Sequence, residues 1–132
     1  MINYQQNALL SNSKMSKIFV IQKHQATHLH YDLRLEMNGV LKSWAIPKEP
    51  PTKFGIRRLA IQVNDHDLDY ANFEGTIMEG YGKGFVKIWD KGNYKLIEKT
   101  KDKIILEFSG KKLKGKYILL KFKDNWLFFK CR

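Results

Sequence analysis

The sequence is poor in cysteine, proline, acidic residues and long apolar runs. Its single cysteine, Cys131, excludes an internal disulfide framework and indicates a reducing compartment. Apolar runs such as residues 18–21 are far shorter than the ~20 residues of a membrane span. The polar residues 1–17 lack the apolar centre of a signal peptide. We therefore expect a soluble, cytoplasmic protein that does not associate with membranes.

The length allows one packed core. A chain of 132 residues with 43% hydrophobic and 13% aromatic residues is long and apolar enough for one folded domain, which excludes a multi-domain enzyme. We predict a polar N-terminal arm over residues 1–17 and a single domain over residues 18–132.

Positive charge dominates, with 24 Lys and Arg against 13 Asp and Glu, a formal net charge of +11. Residues 90–132 hold 13 basic and 5 acidic residues, so the C-terminal third carries most of the excess. These lysines indicate either a surface for a polyanion or a merely soluble exterior. Residues 65–79 have the opposite sign, with five acidic residues and no Lys or Arg, and form either a solvated loop or a segment beside a metal.

Short runs of alternating polarity between turn signals predict an all-β fold, a small closed or partly closed β-barrel with short flanking turns or helices. Asn38-Gly39 is the strongest hairpin signal, and the prolines of residues 47–51 break any ladder. Weaker turn signals are residues 91–93, 109–110 and 123–125. The predicted strands cover residues 17–24, 29–37, 40–46, 59–64, 85–90, 94–98, 103–108, 116–121 and 126–130.

The most informative strand is residues 29–36, in which apolar and polar residues alternate without a break. Because side chains two apart share a face of a strand, we expect the four apolar members to enter the core and the four polar members to project from the other face. The apolar members are Leu29, Tyr31, Leu33 and Leu35, and the polar members are His30, Asp32, Arg34 and Glu36.

A second imidazole, His24, lies on the preceding strand only five residues before His30. Two adjacent antiparallel strands bring these side chains and Asp32 together. Two imidazoles and one carboxylate leave coordination positions open, as catalytic metal sites do, and suit Mn, Fe, Co or Zn better than Mg. The alternative is an ordinary surface hydrogen bond between His30 and Asp32.

Several long segments resemble the 3′-phosphoesterase module of DNA ligase D and its stand-alone archaeal and bacterial relatives. The first signature is carried by residues 22–24, 29–36 and 39–48, and the second by residues 65–75, 79–84 and 86–90. Residues 113–117 and 126–130 are similar to the closing strands of that family. The resemblance runs from about Phe19 to the end of the chain and implies a small β-barrel.

The resemblance also implies functional residues. It matches His24, His30 and Asp32 to the manganese ligands, with Co²⁺ or Zn²⁺ as other candidate ions. It matches Arg34, His66 and Tyr70 to residues that hold the scissile phosphate, and Gln22, Glu36, Lys48 and Arg58 to positions that support activity.

The activity implied by the resemblance is healing of DNA 3′ ends in a prokaryotic cell. A phosphodiesterase step removes a 3′-terminal ribonucleoside, and a phosphomonoesterase step removes the resulting 3′-phosphate to leave a hydroxyl. The implied partners are primer-template or duplex 3′ ends, separate ligase and polymerase enzymes, and Ku-type end-joining proteins. Residues 1–17 do not match the family's N-terminal Arg-Asp-Phe element, so we expect a weaker ribonucleoside-removing step in a free-standing enzyme.

The side-chain chemistry of Arg34, His66 and Tyr70 indicates how each would contact the phosphate. The planar guanidinium of Arg34 matches two phosphate oxygens at once. His66 suits either a phosphate hydrogen bond or protonation of the leaving alkoxide, with Asp65, Asp67 and Asp69 holding it charged, and Tyr70 offers another hydrogen bond.

Two other classes compete with this interpretation. A non-catalytic, basic nucleic-acid-binding β-barrel explains the lysines but not the convergence of imidazoles and carboxylate. A structural zinc domain is disfavoured because one cysteine cannot complete a closed Cys/His set.

Overall fold

The structure, a computed structural model, describes residues 16–80 and 82–132. The polar arm expected over residues 1–17 lies almost entirely outside the described residues. The described residues form nine strands and one short 3-10 helix. The strands are β1 (Lys17–Gln25), β2 (Leu29–Met37), β3 (Val40–Ile46), β4 (Arg57–His66), β5 (Gly75–Ile77), β6 (Gly84–Lys99), β7 (Lys103–Ser109), β8 (Lys114–Phe122) and β9 (Asn125–Lys130), and the 3-10 helix is Leu68–Asn72.

Eight antiparallel strands close into a barrel, which confirms the predicted fold class. Their order is β1-β2-β3-β4-β9-β8-β7-β6, and pairing between β1 and β6 completes the ring, while β5 extends the sheet beside β6. No helix among the described residues is long and apolar enough to cross a bilayer.

The inward-facing side chains of these strands fill the barrel. On β2, Tyr31, Leu33 and Leu35 are buried in the main core, as the alternation predicts. Leu29 is 45% exposed, so its predicted place in the core is wrong. It is the first residue of β2, where the barrel wall ends and no neighbour covers it.

The hairpin between β2 and β3 forms at the predicted place. Asn38 and Gly39 have φ angles of 55° and 82°, the two positive values that a type I′ turn needs. The turn fixes the register in which Arg34 lies opposite Ser43 and Asp32 opposite Ala45.

One predicted turn is wrong. The strands expected over residues 85–90 and 94–98 are one continuous strand, β6, which runs through Gly92. Here glycine serves a close approach of two backbones, because a Cβ at residue 92 would lie 2.4 Å from the carbonyl oxygen of Ser109. The first part of β6 pairs with β1, and the last part pairs with β7. The strand therefore changes its pairing partner along its length and does not turn back on itself.

The remaining differences are at element ends. Strand β4 extends beyond the predicted residues 59–64 at both ends, and β5 and the 3-10 helix were not predicted. The helix lies inside the acidic segment, after Asp67, and packs its buried Ala71 against Val20 and Leu41 in a second, small core. This packing carries Tyr70 to the outside of β1, where the polar face of β2 also lies.

Candidate metal centre

The side chains of His24, His30 and Asp32 meet on the outer face of β1 and β2. His24 lies directly opposite His30 in the antiparallel register, and Gln22 lies opposite Asp32. Cross-strand partners project to the same side of a sheet, so the alternation on each strand aims these residues into one place.

The group formed by His24, His30 and Asp32 is compact and largely buried. One candidate ligand atom from each residue lies within 4.8 Å of the others. The Asp32 Oδ2 atom is 3.6 Å from His24 Nδ1 and 3.2 Å from His30 Nε2. Asp32 is only 5% exposed and His24 8%, so water has little access to either side chain. The described residues therefore include a group with the ligand types and spacing for a metal ion.

Backbone carbonyls on the far side of each ring determine the histidine tautomers. His24 Nε2 lies 2.7 Å from the carbonyl oxygen of Gly82, and His30 Nδ1 lies 3.1 Å from that of His28. A carbonyl only accepts hydrogen bonds, so these nitrogens carry the protons and donate them. The opposite nitrogens, His24 Nδ1 and His30 Nε2, face Asp32 and carry the lone pairs when the rings are neutral. Outer hydrogen bonds of this kind orient histidines as metal ligands in proteins.

This arrangement needs positive charge at its centre. Two imidazole lone pairs facing a carboxylate oxygen repel it unless a proton or metal cation lies between them. The hydrogen bond to Asp32 is the main reason that the pKa of His30 is raised, against the opposing effect of burial. The donor set, two nitrogens and one carboxylate oxygen, fits a transition-metal ion.

Arg34 continues the polar row on β2 and is almost fully buried, with 4% of its surface exposed. Its Nε donates to Gln22 Oε1 at 2.7 Å, and one terminal nitrogen lies 2.8 Å from Ser43 Oγ and 3.0 Å from His66 Nδ1. The other terminal nitrogen is 3.4 Å from Asp32 Oδ2. Burial lowers the pKa of Arg34, and the charge of Asp32 opposes that shift.

These contacts leave Arg34 little freedom. Hydrogen bonds to Gln22, Ser43 and His66 occupy three of its five N–H groups. Among the described residues the second terminal nitrogen makes only the ion pair with Asp32. The contact with two phosphate oxygens expected from the sequence stays a prediction.

Tyr70 reaches the site from the 3-10 helix. The guanidinium of Arg34 lies 4.9 Å from its ring centre, and its ring stacks on that of Phe73 at 5.0 Å. Burial raises the pKa of the Tyr70 hydroxyl, so it stays protonated and able to donate a hydrogen bond at neutral pH.

His66 closes the group from the end of β4. Its Nδ1 faces both the Arg34 guanidinium and, at 3.2 Å, the carbonyl oxygen of Asn64. The Arg34 guanidinium can only donate to Nδ1, and the Asn64 carbonyl can only accept from it, so the two contacts favour opposite tautomers of the ring.

The expectation that acidic neighbours hold His66 charged is wrong. Burial and the charge of Arg34 lower the pKa of His66, and the opposing effect of Asp67 is small. Asp65 instead forms an exposed ion pair with Lys42, at 3.1 Å.

Other residues singled out from the sequence lie outside the group. Glu36 accepts a hydrogen bond from the backbone N–H of Ile18 at 2.9 Å, and Arg58 donates to the carbonyl oxygen of Glu49 at 2.8 Å. Lys48 is exposed in the loop between β3 and β4. The acidic residues 65–79 contribute none of the three candidate ligands, but His66 and Tyr70 of this segment lie beside that group.

Three contributors were missed by sequence reasoning. Ser43 was predictable, because the Asn38-Gly39 turn sets it opposite Arg34 on the outer face. Phe73, which supports Tyr70, and Gly82, whose carbonyl oxygen orients His24, are brought in by the chain that crosses from β4 to β6. No local pattern marks either position.

Comparison with known proteins gives a consistent result. Residues 22–121 match the family model described as the DNA ligase D 3′-phosphoesterase domain. The chain is 47% identical over 109 residues to the multifunctional non-homologous end joining protein LigD of Pseudomonas aeruginosa, covering 78% of this chain and 13% of that protein. It is 47% identical over 116 residues to the protein of the same name in Mycobacterium bovis, with 83% and 15% covered, and 43% identical over 122 residues to that of Mycolicibacterium smegmatis, with 83% and 16% covered.

The chain thus spans about one seventh of the length of these relatives. The match includes His24, His30, Asp32, Arg34, His66 and Tyr70, all within residues 22–121. With the closed barrel and the His-His-Asp group on its wall, this match shows that the chain belongs to the DNA ligase D 3′-phosphoesterase domain family.

Proposed function

We propose that this protein is a manganese-dependent hydrolase that heals DNA 3′ ends. It removes a 3′-terminal ribonucleoside as a phosphodiesterase, then removes the remaining 3′-phosphate as a phosphomonoesterase. Membership of the phosphoesterase family supports the reaction class. The His-His-Asp group supports the dependence on a metal.

The observation that carries the proposal is the direction of the two histidine lone pairs. Each ring is fixed by a backbone carbonyl so that its free nitrogen faces Asp32 Oδ2. His24, His30 and Asp32 are the residues that would hold the ion, with Mn²⁺ proposed first and Co²⁺ or Zn²⁺ as other candidates. A bound divalent ion supplies positive charge to a phosphate oxygen and acidifies bound water.

The neighbouring side chains hold the phosphate. Arg34 places a buried positive charge beside the metal group, where it attracts a phosphate oxygen. The His66 ring offers another hydrogen bond, and the protonated Tyr70 hydroxyl a further one. Donors fixed before the substrate arrives stabilise developing charge without reorganisation.

We propose that four residues support activity from outside the metal group: Gln22, Glu36, Lys48 and Arg58. Gln22 positions Arg34 through a direct hydrogen bond. Glu36 fixes the start of β1, and Arg58 fixes the loop that carries Lys48. We propose that Lys48, exposed in this loop, attracts the DNA backbone.

The proposed partners follow from the relatives, whose names describe multifunctional non-homologous end joining proteins. We propose that the substrate is a primer-template or duplex 3′ end, including ends with a terminal ribonucleotide. Separate ligase, polymerase and Ku-type end-joining proteins would act on the same ends in the cytoplasm.

A cleavage assay tests this function. The substrates are a 5′-labelled primer-template with one 3′-terminal ribonucleotide and one with a 3′-phosphate, each with and without Mn²⁺. Wild type is compared with His30→Gln and with the matched control His28→Gln, because His28 is exposed and its side chain is not part of the ligand group. We expect metal-dependent products that disappear only in His30→Gln.

One outcome of this assay would contradict the proposed hydrolase activity. If wild type binds DNA but releases no product from either substrate over a range of divalent ions, the protein is a basic nucleic-acid-binding barrel and the hydrolase proposal is wrong.

A further inference from the structure

A second feature of the outer wall is a cleft of about 370 Å³ between the start of β4 and the end of β9. Phe54, in the loop before β4, is 46% exposed at its edge. Arg57 is paired with Phe129 across β4 and β9, and Phe54 forms an isolated bridge with Lys130. The cleft is therefore held by backbone pairing on both sides.

Cations in this cleft lie over aromatic rings. The Arg57 guanidinium is 5.1 Å from the ring centre of Phe129, and Lys130 Nζ is 5.6 Å from that of Phe54. The guanidinium of Arg132 is 5.0 Å from the Phe54 ring centre. Such stacking holds the cationic groups near the surface while leaving their outer N–H groups free to donate.

No Asp or Glu side chain lies near these cations in the sequence. Residues 50–64 and 125–132, which supply all of the lining, contain no Asp or Glu. The ion pairs formed by the described part of the chain involve none of Arg57, Lys130 and Arg132. An uncompensated basic cleft with an exposed aromatic edge favours a polyanion that carries flat, stackable groups.

The strand register places this cleft on the same face as the metal centre. Asp32 is the partner of Ala45, and Ala45 is the partner of Ile61, so these three side chains point outward together. Along β4, Leu59 and Arg57 alternate onto that same face.

Sheet geometry gives the distance between the metal centre and the cleft. Two strand spacings of about 4.8 Å separate Asp32 from Ile61, and four residues at about 3.3 Å separate Ile61 from Arg57. The combined separation is about 16 Å. A DNA strand rises about 3.4 Å per nucleotide, so the cleft is about five nucleotides from a 3′ end held at the metal centre.

We propose that this cleft binds the DNA strand behind the 3′ end, with phosphates on Arg57 and Lys130 and an unpaired base or duplex edge against Phe54. The inference rests on the proposed function for the direction of the strand. It adds a surface that selects DNA ends by the length of strand behind them.

Binding is measured first, by fluorescence anisotropy with a labelled 12-base-pair duplex that ends in a 3′-hydroxyl and so offers no phosphate to remove. Phe54→Ala is compared with Phe122→Ala, because Phe122 is 49% exposed and also has a lysine over its ring, at the opposite ends of β8 and β9. Arg57→Ala is compared with Lys95→Ala, an exposed basic residue on β6.

The expected result is about tenfold weaker binding for Phe54→Ala and Arg57→Ala and little change for the two controls. Arg57→Ala should also lower the slope of log Kd against log salt concentration by about one. Equal effects in cleft and control variants, with unchanged melting temperatures, would overturn the proposal. Release of DNA by short DNA strands but not by a poly-glutamate peptide supports a nucleic acid as the occupant, and equal release by both overturns that assignment.

Position is measured with neutral methylphosphonate linkages placed singly at the second to eighth linkages from the 3′ end. We expect wild type to lose affinity most at about the fifth linkage, and Arg57→Ala to lose none there, because its partner is already absent. A loss of the same size in both proteins would show that Arg57 does not contact that phosphate. Since these experiments record binding alone, failure of the hydrolase assay and failure of the cleft are distinguishable.

Discussion

Gln22 is the residue that joins the two halves of the site. Its side-chain oxygen accepts a hydrogen bond from Arg34 Nε, and its nitrogen lies 2.8 Å from the carbonyl oxygen of Tyr70 and 3.2 Å from that of Phe73. Gln22 is fully buried, so no water replaces these contacts. One amide therefore sets the position of the guanidinium relative to the tyrosine ring.

Replacing Gln22 with leucine keeps the approximate volume but leaves Arg34 Nε and the Phe73 carbonyl oxygen without these partners. It also removes one of the two donors to the Tyr70 carbonyl oxygen. We expect Gln22→Leu to lower the free energy of unfolding by about 2–4 kcal/mol, measured by urea denaturation. Gln25→Leu, at the exposed end of β1, is the control and should change little. A Gln22→Leu protein as stable as the control would contradict this account of the amide.

The lowered pKa of His66 predicts how the stability of the protein depends on pH. Its pKa is lowered in the folded protein, so below the unfolded-state pKa, about 6.5, the unfolded chain binds a proton that the folded protein does not. Stability contributed by neutral His66 is therefore present above that pKa and lost as the pH falls below it.

We expect His66→Gln, which does not titrate, to lose less stability than wild type between pH 7 and pH 5. The measurement is a denaturation series without added metal, taken as the difference between the two proteins so that the opposite effect of His30 cancels. A larger acid loss in His66→Gln than in wild type would mean that the ring is held charged.

Among the elements, the loop between β7 and β8 depends on one buried carboxylate. Asp90, 3% exposed on β6, accepts hydrogen bonds from the backbone N–H groups of Lys91, Lys111, Lys112 and Leu113 at 2.8–3.1 Å. A Cβ at Gly110 would lie 2.5 Å from Asp90 Oδ2, so only glycine lets the loop approach this closely. The carboxylate thus ties this loop to the middle of β6.

Removing that carboxylate should be costly. We expect Asp90→Ala to destabilise the protein by about 3 kcal/mol or more, because charge-assisted hydrogen bonds are lost and buried N–H groups are left unpaired. Asp90→Asn should also destabilise, since its NH₂ faces donors. Thermal denaturation measures the effect against Asp124→Ala in the exposed turn between β8 and β9. Stability equal to that control would show that the loop holds without Asp90.

At the scale of the whole molecule, the proposed metal connects β1 and β2 where they meet the chain around Gly82. An ion that binds the folded protein but not the unfolded chain stabilises it, by about 2.7 kcal/mol when free metal is about 100 times Kd. We therefore expect Mn²⁺ to raise the melting temperature and a chelator to reverse the rise.

The shift should be absent in His30→Gln and Asp32→Asn and present in His28→Gln. It should also shrink in acid, because a metal displaces protons from histidine nitrogens. This experiment does not depend on catalysis. An equal rise in His30→Gln and wild type would place the metal elsewhere.

Most of the candidate site was predictable because its residues lie on strands, where side chains alternate between the two faces. Alternation on β2 and the short connection between β1 and β2 bring His24, His30 and Asp32 together whatever surrounds them. The contributions of Phe73 and Gly82 were not predictable, since they depend on how a long crossing segment folds back over β1. The same limit explains β6, in which Gly92 has the composition of a turn but serves a close approach to Ser109.

The sequence by itself determined the all-β class, the Asn38-Gly39 hairpin and the face on which the metal group lies, because period-two alternation and turn chemistry act over a few residues. Only the tertiary structure decided the direction in which the pKa of His66 shifts and the hydrogen-bond partners of Arg34. Both depend on burial and on partners from β1, β3 and β4. Closure of the barrel through β1 and β6 is likewise a long-range pairing, which brings those distant groups within hydrogen-bond distance.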